Sequence, residues 1–515
     1  MDERTPILIG AGQITQRDVD PERALEPVAL MRESALRAVA DAGLDATALQ
    51  RLDVVAVVNI LSWPYVNAPR LLAERLGAAP RDELYSTIGG NTPQWLVNET
   101  AARIAAGEVE LALLAGAEAM HTLARARRGG VRLDWGTSSA TPPRVVGEQR
   151  SGTSDHEMLH GLVLPVQIYP LFENALRARR GRTPAEHLRA LGALYARLSS
   201  VAAENPYAWF RNARSAADIA TISEQNRIIA FPYPKLMNAI IDVDQGAAVL
   251  MTSVGRARAL GVPEERWVYL QGCGEAHDLW FVSERRDYTS SPAIAAAAEQ
   301  ALAMAGASVD DVDLFDLYSC FPSAVQLAQR ALGLADDDPR PLTVTGGLAA
   351  FGGPGSNYSM HAIASMLDRL RAARGQRGLV TALGWYVTKH AIGIYGTEPG
   401  PLPWRAPEAS PQAGLDAMPH PALALRADGR ATIETYTVTH DRAGAPERGL
   451  VVGRLDDDGR RFLAVLDGDL AALVSLEATE GVGRAGQVRS GEDGVNRFVL
   501  AEGLRIRRES VLSGS

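Results

Sequence analysis

His156-Glu157-Met158-Leu159-His160 matches H-E-x-x-H, which on a helix offers two zinc ligands and a general base. Gly161 and Pro165 soon interrupt any such helix and no third ligand is evident from spacing, so a chance match competes with the zinc reading. The chain has two cysteines. Cys273 lies in Gly272-Cys273-Gly274-Glu275-Ala276-His277-Asp278, where it either pairs with His277 as a thiolate–imidazole unit or packs at a strand end. Cys320, in Tyr318-Ser319-Cys320-Phe321, has no basic residue adjacent and reads as a nucleophile or as a buried thiol. Arg177, Arg179, Arg180 and Arg182, with Arg125, Arg127 and Arg128, suit phosphate, because a guanidinium is a planar fork of donors. A solvated helix face gives the same pattern. The stretch from Leu84 to Glu99, LYSTIGGNTPQWLVNE, has a Gly-Gly turn between a strand-like and a helix-like run. Such a junction aims unpaired N–H groups at a ligand, yet this turn carries no Cys, His or acid.

These residues need elements to hold them. The 515 residues predict two to four domains, and 46% hydrophobic with 22% charged content is ordinary for a globular chain with a large core. A net charge of −9 argues against nucleic acid or an anionic membrane as a partner. No apolar run approaches the ~20 residues that span a bilayer. Two cysteines exclude a disulfide scaffold, and the opening MDERTPILIGAGQ does not read as a signal peptide, so a cytoplasmic location is expected. Strand-like Pro6–Gln13, Val54–Ile60 and Leu111–Ala115 alternate with helix-like Leu25–Asp41, Ala68–Leu76 and Pro93–Ala106. Continuous apolar strands between helices predict parallel sheet covered on both faces. From His121 to Ile229 the chain is polar and Arg-rich and reads as an insertion; the alternation then resumes to Thr397. The segment from Glu398 to Pro421 is a Pro-rich linker. Beyond it, short runs at even spacing, Ala471–Leu476 among them, predict a small barrel or sandwich of strands.

Several of these stretches resemble the thiolase superfamily. Ala101–Met120, AARIAAGEVELALLAGAEAM, is similar to its helix, buried strand and Gly-x-Glu-x-Met turn. Asp244–Thr252 (DQGAAVLMT), Asp316–Phe321 (DLYSCF) and Gly346–Pro354 (GGLAAFGGP) follow in the family's order, over about 400 residues. Tyr169–Asn205 resembles the sterol carrier protein X-type branch. The resemblance implies two βαβ halves in five layers, αβαβα, with an added all-β, OB-like C-terminal domain. It implies an N-terminal half of residues 1–120 and 230–255, a loop domain of 121–229, a C-terminal half of 256–397, a linker of 398–421 and a β-rich domain of 422–515.

Carried over residue by residue, the family's chemistry is missing. Its nucleophilic cysteine falls at Gly90, its Asn or His at Tyr318, its GHP histidine at Gly353 and its second cysteine at Leu383 or Gly384. An acyl-enzyme at the usual place is therefore excluded. Backbone N–H groups near Gly90 and Gly384 could still polarise a thioester carbonyl, with Tyr318 as acid or base and Tyr358 and His361 as further candidates. The resemblance implies a coenzyme A thioester as substrate with no tightly bound cofactor, and aldol or Claisen chemistry beside it. A noncatalytic acyl-CoA or lipid-binding module stays open, as does an acetyl-CoA acetyltransferase-like acyltransferase using a relocated nucleophile. A homodimer, and a protein partner engaged through the C-terminal domain, are further expectations.

Overall fold

The protein is described from a computed structural model covering residues 2–136, 141–407 and 409–501. Two Gly-x-Gly strands set how closely its layers pack. A Cβ at Gly10 would lie 2.0 Å from the Ala38 carbonyl oxygen, and one at Gly12 2.1 Å from that of Ser34, so helix Pro27–Asp41 rests directly on strand Pro6–Thr15. Gly272 and Gly274 repeat the device against the carbonyls of Ala301 and Ala297, each 2.0 Å from the would-be Cβ, seating helix Pro292–Ala305 on strand Val268–His277. Each half of the core thus buries one outer helix in the same way.

Among the described residues the core strands form one ten-stranded sheet. Its order is Leu314–Asp316, Arg377–Gly384, Lys389–Gly396, Val268–His277, Pro6–Thr15, Asp244–Ser253, Leu111–Ala119, Val54–Val57, Asp82–Ser86 and Arg144–Val146. The two central strands touch only where Ile7 and Leu8 meet Tyr269 and Val268, so the sheet is two parts joined at a short seam. Helices Thr92–Ala105 and Tyr358–Ala372 lie between the parts and touch strands of both, completing five layers. The sheet is mixed rather than parallel: Asp244–Ser253 runs antiparallel to both its neighbours. Its apolar runs are continuous anyway, because both faces are covered whichever way the strands run.

The C-terminal strands Gly429–His440, Pro446–Leu455, Arg461–Leu466, Ala485–Ser490 and Asn496–Leu500 close into a barrel. The first and second pair, the third pairs parallel with the fifth, and the fourth returns to the first, an OB-like closure. The run Ala471–Leu476 is not a strand but part of helix Leu470–Ala478, started by Asp469, whose side chain accepts from the Ala472 N–H. The insertion contributes to this sheet: Ala230 pairs with Thr439, and Ile228–Ala230 pairs with Tyr233–Pro234. Residues 228–234 therefore belong with the barrel, across the boundary expected between 229 and 230. No described helix is long and apolar enough to cross a membrane.

Candidate functional site

The Gly-Gly turn ends strand Asp82–Ser86 and starts helix Thr92–Ala105. Gly89, at φ 149°, takes a backbone shape that side chains disfavour. The helix buries residues on most of its faces, as a helix between two sheets must, and leaves Glu99 exposed. Its few polar groups are matched: buried Gln94 donates to Asn98 and accepts from the Tyr395 hydroxyl.

The place of a nucleophile at residue 90 is full. A Cβ there would lie 2.1 Å from the Tyr318 hydroxyl oxygen and 2.6 Å from the Leu383 carbonyl oxygen. A Cβ at Gly384 would lie 2.2 Å from Asn91 Oδ1 and 3.0 Å from Lys389 Cε. The structure therefore gathers Gly90, Gly384 and Tyr318, and adds Asn91 and Lys389. Gly353 stands apart, its would-be Cβ nearest Leu348, the Ile240 carbonyl and Ala239.

The other sequence candidates have structural partners. Burial drives the Tyr318 phenol far above its ordinary range, with Cys320 adding to the effect, so it stays protonated. Cys320 is buried beside Tyr169 and its thiol is pushed up to about 12, chiefly by burial. Tyr358 donates to buried Asp316 at 3.0 Å and shares a 2.6 Å hydrogen bond with Thr345. His361 is fully buried against Gln13, at 2.9 Å, and burial lowers it to about 3. Arg177 is fully buried and grips Glu480 of the barrel region through two bonds of 2.8 and 2.9 Å. It is a domain contact, with no face left for phosphate. Arg180 and Arg182 pair with Asp336, and Arg179 donates to Thr289. In the H-E-x-x-H stretch, Glu157 caps the short helix Asp155–Leu159, and His160 Nε2 accepts from the Asn496 N–H of the barrel. No group of three or more potential metal ligands occurs among the described residues.

Beside the filled nucleophile place lies a cavity of about 420 Å³, a size suited to small molecules. Thr87, Asn91, Trp95 and Asn98 line one side, Cys273, Glu275, His277 and Lys389 another, and the linker residues Ala406, Pro407, Ala409, Ser410 and Gln412 lie across it. Strand register explains the second wall. Lys389 pairs with His277 and Ala391 with Glu275, so alternate residues of both strands share one face. Lys389 follows a hairpin in which Trp385 and Val387 both have φ 56°. Buried Arg285 fixes that strained loop by donating to the Tyr386 and Val387 carbonyls and the Thr388 hydroxyl, at 3.0, 2.6 and 2.8 Å. Lys389 itself donates to the Ile88 carbonyl at 2.7 Å, and burial lowers its pKa to about 8. Burial, with the charge of Glu99, raises Glu275 to about 7. The Cys273 thiol is pushed well above its usual range by burial, so it is no thiolate nucleophile. Neither Lys389 nor Glu275 stood out in the sequence, yet a signal existed: among 52 basic residues only Lys235 and Lys389 are lysines.

Two halves of one α/β pattern, stacked in five layers around a helix that starts at a Gly-Gly turn, define a thiolase fold. A family model for the "thiolase C-terminal domain-like" matches residues 274–339, and one for the "thiolase-like protein type 1 additional C-terminal domain" matches residues 411–493. A monomeric SCP2-thiolase-like protein type 1 from Mycobacterium smegmatis is 41% identical, with a TM-score of 0.84, over 97% of this chain and all of that one. The chain belongs to the SCP2-thiolase-like proteins of type 1. More distantly, the Ltp2-ChsH2(DUF35) aldolase shares the fold at a TM-score of 0.58 and 20% identity, over 76% of this chain and 97% of that one. An acetyl-CoA acetyltransferase of Methanothermobacter thermautotrophicus is 23% identical over 68% of this chain and 87% of its own length.

Proposed function

We propose that this chain binds coenzyme A thioesters and makes or breaks a carbon–carbon bond beside the thioester, in the aldol or Claisen sense, without an acyl-enzyme. The observation that carries this is the shift of open space. The nucleophile's place holds Gly90 beneath Tyr318, while the adjoining cavity holds a carboxylate, Glu275, that titrates near neutrality. A group with that pKa both takes and returns a proton at pH 7. Tyr318 is then a filler of the old site rather than an acid or base, since it does not line the cavity. The fold shared with a named aldolase and a named acetyltransferase supports the substrate class. The fused barrel takes the part of a partner domain held in place by the chain itself.

Calorimetric titration with CoA, acetyl-CoA and a bulky acyl-CoA tests the ligand, and cleavage of 3-hydroxyacyl-CoA adducts tests the reaction. Glu275→Gln is expected to lower turnover about a hundredfold or more while binding persists. Tyr318→Phe is expected to leave turnover within about twofold. Equal turnover by wild type and Glu275→Gln would reject this assignment. Binding with no turnover on any adduct would favour the noncatalytic acyl-CoA-binding module, a reading that the filled nucleophile place also supports.

A further inference from the structure

Lys389 is an unusual choice in this chain. Fifty of the 52 basic residues are arginine, so a basic position is lysine only here and at exposed Lys235. Arginine cannot lose its proton, whereas lysine in a desolvated site can, and only the neutral amine is a nucleophile. Among the described residues no carboxylate lies within ion-pair distance of Lys389, which donates to the Ile88 carbonyl; burial lowers its pKa, and the charge of Glu148 on the same cavity wall opposes that only in part. Around it the cavity wall is incomplete in hydrogen bonding. Asn91 Oδ1 and Thr87 Oγ1 are buried and without partners, on residues only 7% and 6% exposed, and both residues line the cavity. Both oxygens are covered by glycine backbone, Asn91 Oδ1 by Gly89 and Gly384 and Thr87 Oγ1 by Gly147, so the donor that faces the cavity from this wall is Lys389. Trp95 and Trp280 supply flat apolar walls.

We infer that this cavity is a carbonyl-capture site, in which Lys389 forms an imine with a ketone or aldehyde that carries an apolar ring-like body. The amine lone pair adds to the carbonyl carbon, and the carbonyl electron pair moves to oxygen, which takes up a proton. The resulting carbinolamine loses that oxygen as water as the nitrogen lone pair forms the C=N bond. Net, one amine and one carbonyl give one imine and one water. Glu275 is placed to protonate the departing oxygen: it is a diagonal neighbour of Lys389 on the same face, roughly 7–8 Å away between Cα atoms by ordinary sheet geometry. The inference goes beyond the thioester reading and does not depend on it.

The test is reductive trapping. The intact protein is incubated with benzylacetone, and separately with benzaldehyde, in the presence of cyanoborohydride, then digested and mapped by mass spectrometry. With two lysines and the terminal amine as the possible sites, the map is short. The expected product is Lys389 heavier by the probe less one oxygen atom. At pH 7 it should form roughly tenfold or more faster than the product at Lys235, because an amine with a pKa of about 8 is about a tenth neutral there. The Lys389 rate should level off above pH 8, while an ordinary lysine keeps gaining towards pH 10. Lys389→Arg, which keeps the charge, and Lys389→Met, which removes it, should both abolish that product with the denaturation midpoint checked for each. Labelling of Lys235 at a rate equal to Lys389, or no label at Lys389 in folded wild type, would overturn the inference. If Lys389 is trapped but no CoA derivative binds, the thioester reading falls and this one stands; CoA binding without trapping gives the reverse.

Discussion

Gly90→Cys is expected to yield a damaged protein and no thiolase. The substitution puts a thiol where the family's nucleophile belongs, but the new Cβ alone would lie 2.1 Å from the Tyr318 oxygen and 2.6 Å from the Leu383 carbonyl. The tyrosine can turn aside only into a packed core, and the carbonyl belongs to a strand paired residue by residue with Lys389–Gly396, so it cannot move without disturbing that pairing. Overpacking of this sort costs about 1–3 kcal/mol, and a backbone clash belongs at the top of that range or above it. Denaturant unfolding should therefore show a lower midpoint, and iodoacetamide with labelled acetyl-CoA should find no acyl-cysteine. Adding Tyr318→Ala removes one clash, leaves the other and opens a cavity of its own, so the double variant should be no more stable than the single one. A stable Gly90→Cys protein that acylates would mean that Tyr318 yields readily and that the nucleophile's place is open in solution.

Arg461→Met is expected to loosen the barrel from the core and cost about 3–5 kcal/mol, the range for removing one partner of a buried ion pair. The Arg461 side chain is fully buried. It donates to both Glu434 oxygens at 2.8 and 2.6 Å, to the Ser283 carbonyl at 3.1 Å and to the Arg285 carbonyl, and it lies 4.9 Å above the Tyr288 ring. The methionine leaves those carbonyls without a donor. Arg454 still holds Glu434, at 2.7 and 3.0 Å, which places the loss towards the lower end of the range. Burial alone would raise the Glu434 pKa, but the two arginines hold it below the ordinary value. Its contribution to stability is therefore present above about pH 4.5 and lost as the pH falls through the folded-state value. Arg461→Met should flatten that acid limb and speed proteolysis within residues 398–421. Unfolding within about 0.5 kcal/mol of wild type would show that the barrel does not depend on this peg. Arg461→Met with Glu434→Gln should cost less than the two changes summed.

The sequence was most readable where periodicity and glycine spacing act locally. Ala68–Leu76 is a helix over the range its pattern predicts, between the Asn67 cap and left-handed Gly77. It was least readable where an apolar run fits two periods. Leu470–Ala478 is apolar on all sides and shows no clear period, and its Leu, Ala and Glu content with the cap at Asp469 makes it a helix. Val268–His277 runs straight through Gly272 and Gly274, because those glycines admit a helix rather than make a turn. In the site, the loss of the nucleophile at Gly90 was legible from order along the chain. Its replacement was not, because Lys389 and Glu275 meet only through pairing of strands more than a hundred residues apart, and Asn91 reaches them from the start of a helix elsewhere in the chain. Arg177 failed as a phosphate ligand for a related reason: its partner, Glu480, lies in the barrel region.

The ten-stranded sheet closes at each side with a three-residue strand, Leu314–Asp316 at one and Arg144–Val146 at the other. Long bare edges are templates on which further chains add, and short ones carrying charge, as Arg144 does, refuse them. Arg144–Val146 covers Asp82–Ser86, the strand that leads into the Gly-Gly turn, and the next residues, Gly147 and Glu148, line the cavity. One short segment thus seals the sheet and walls the site.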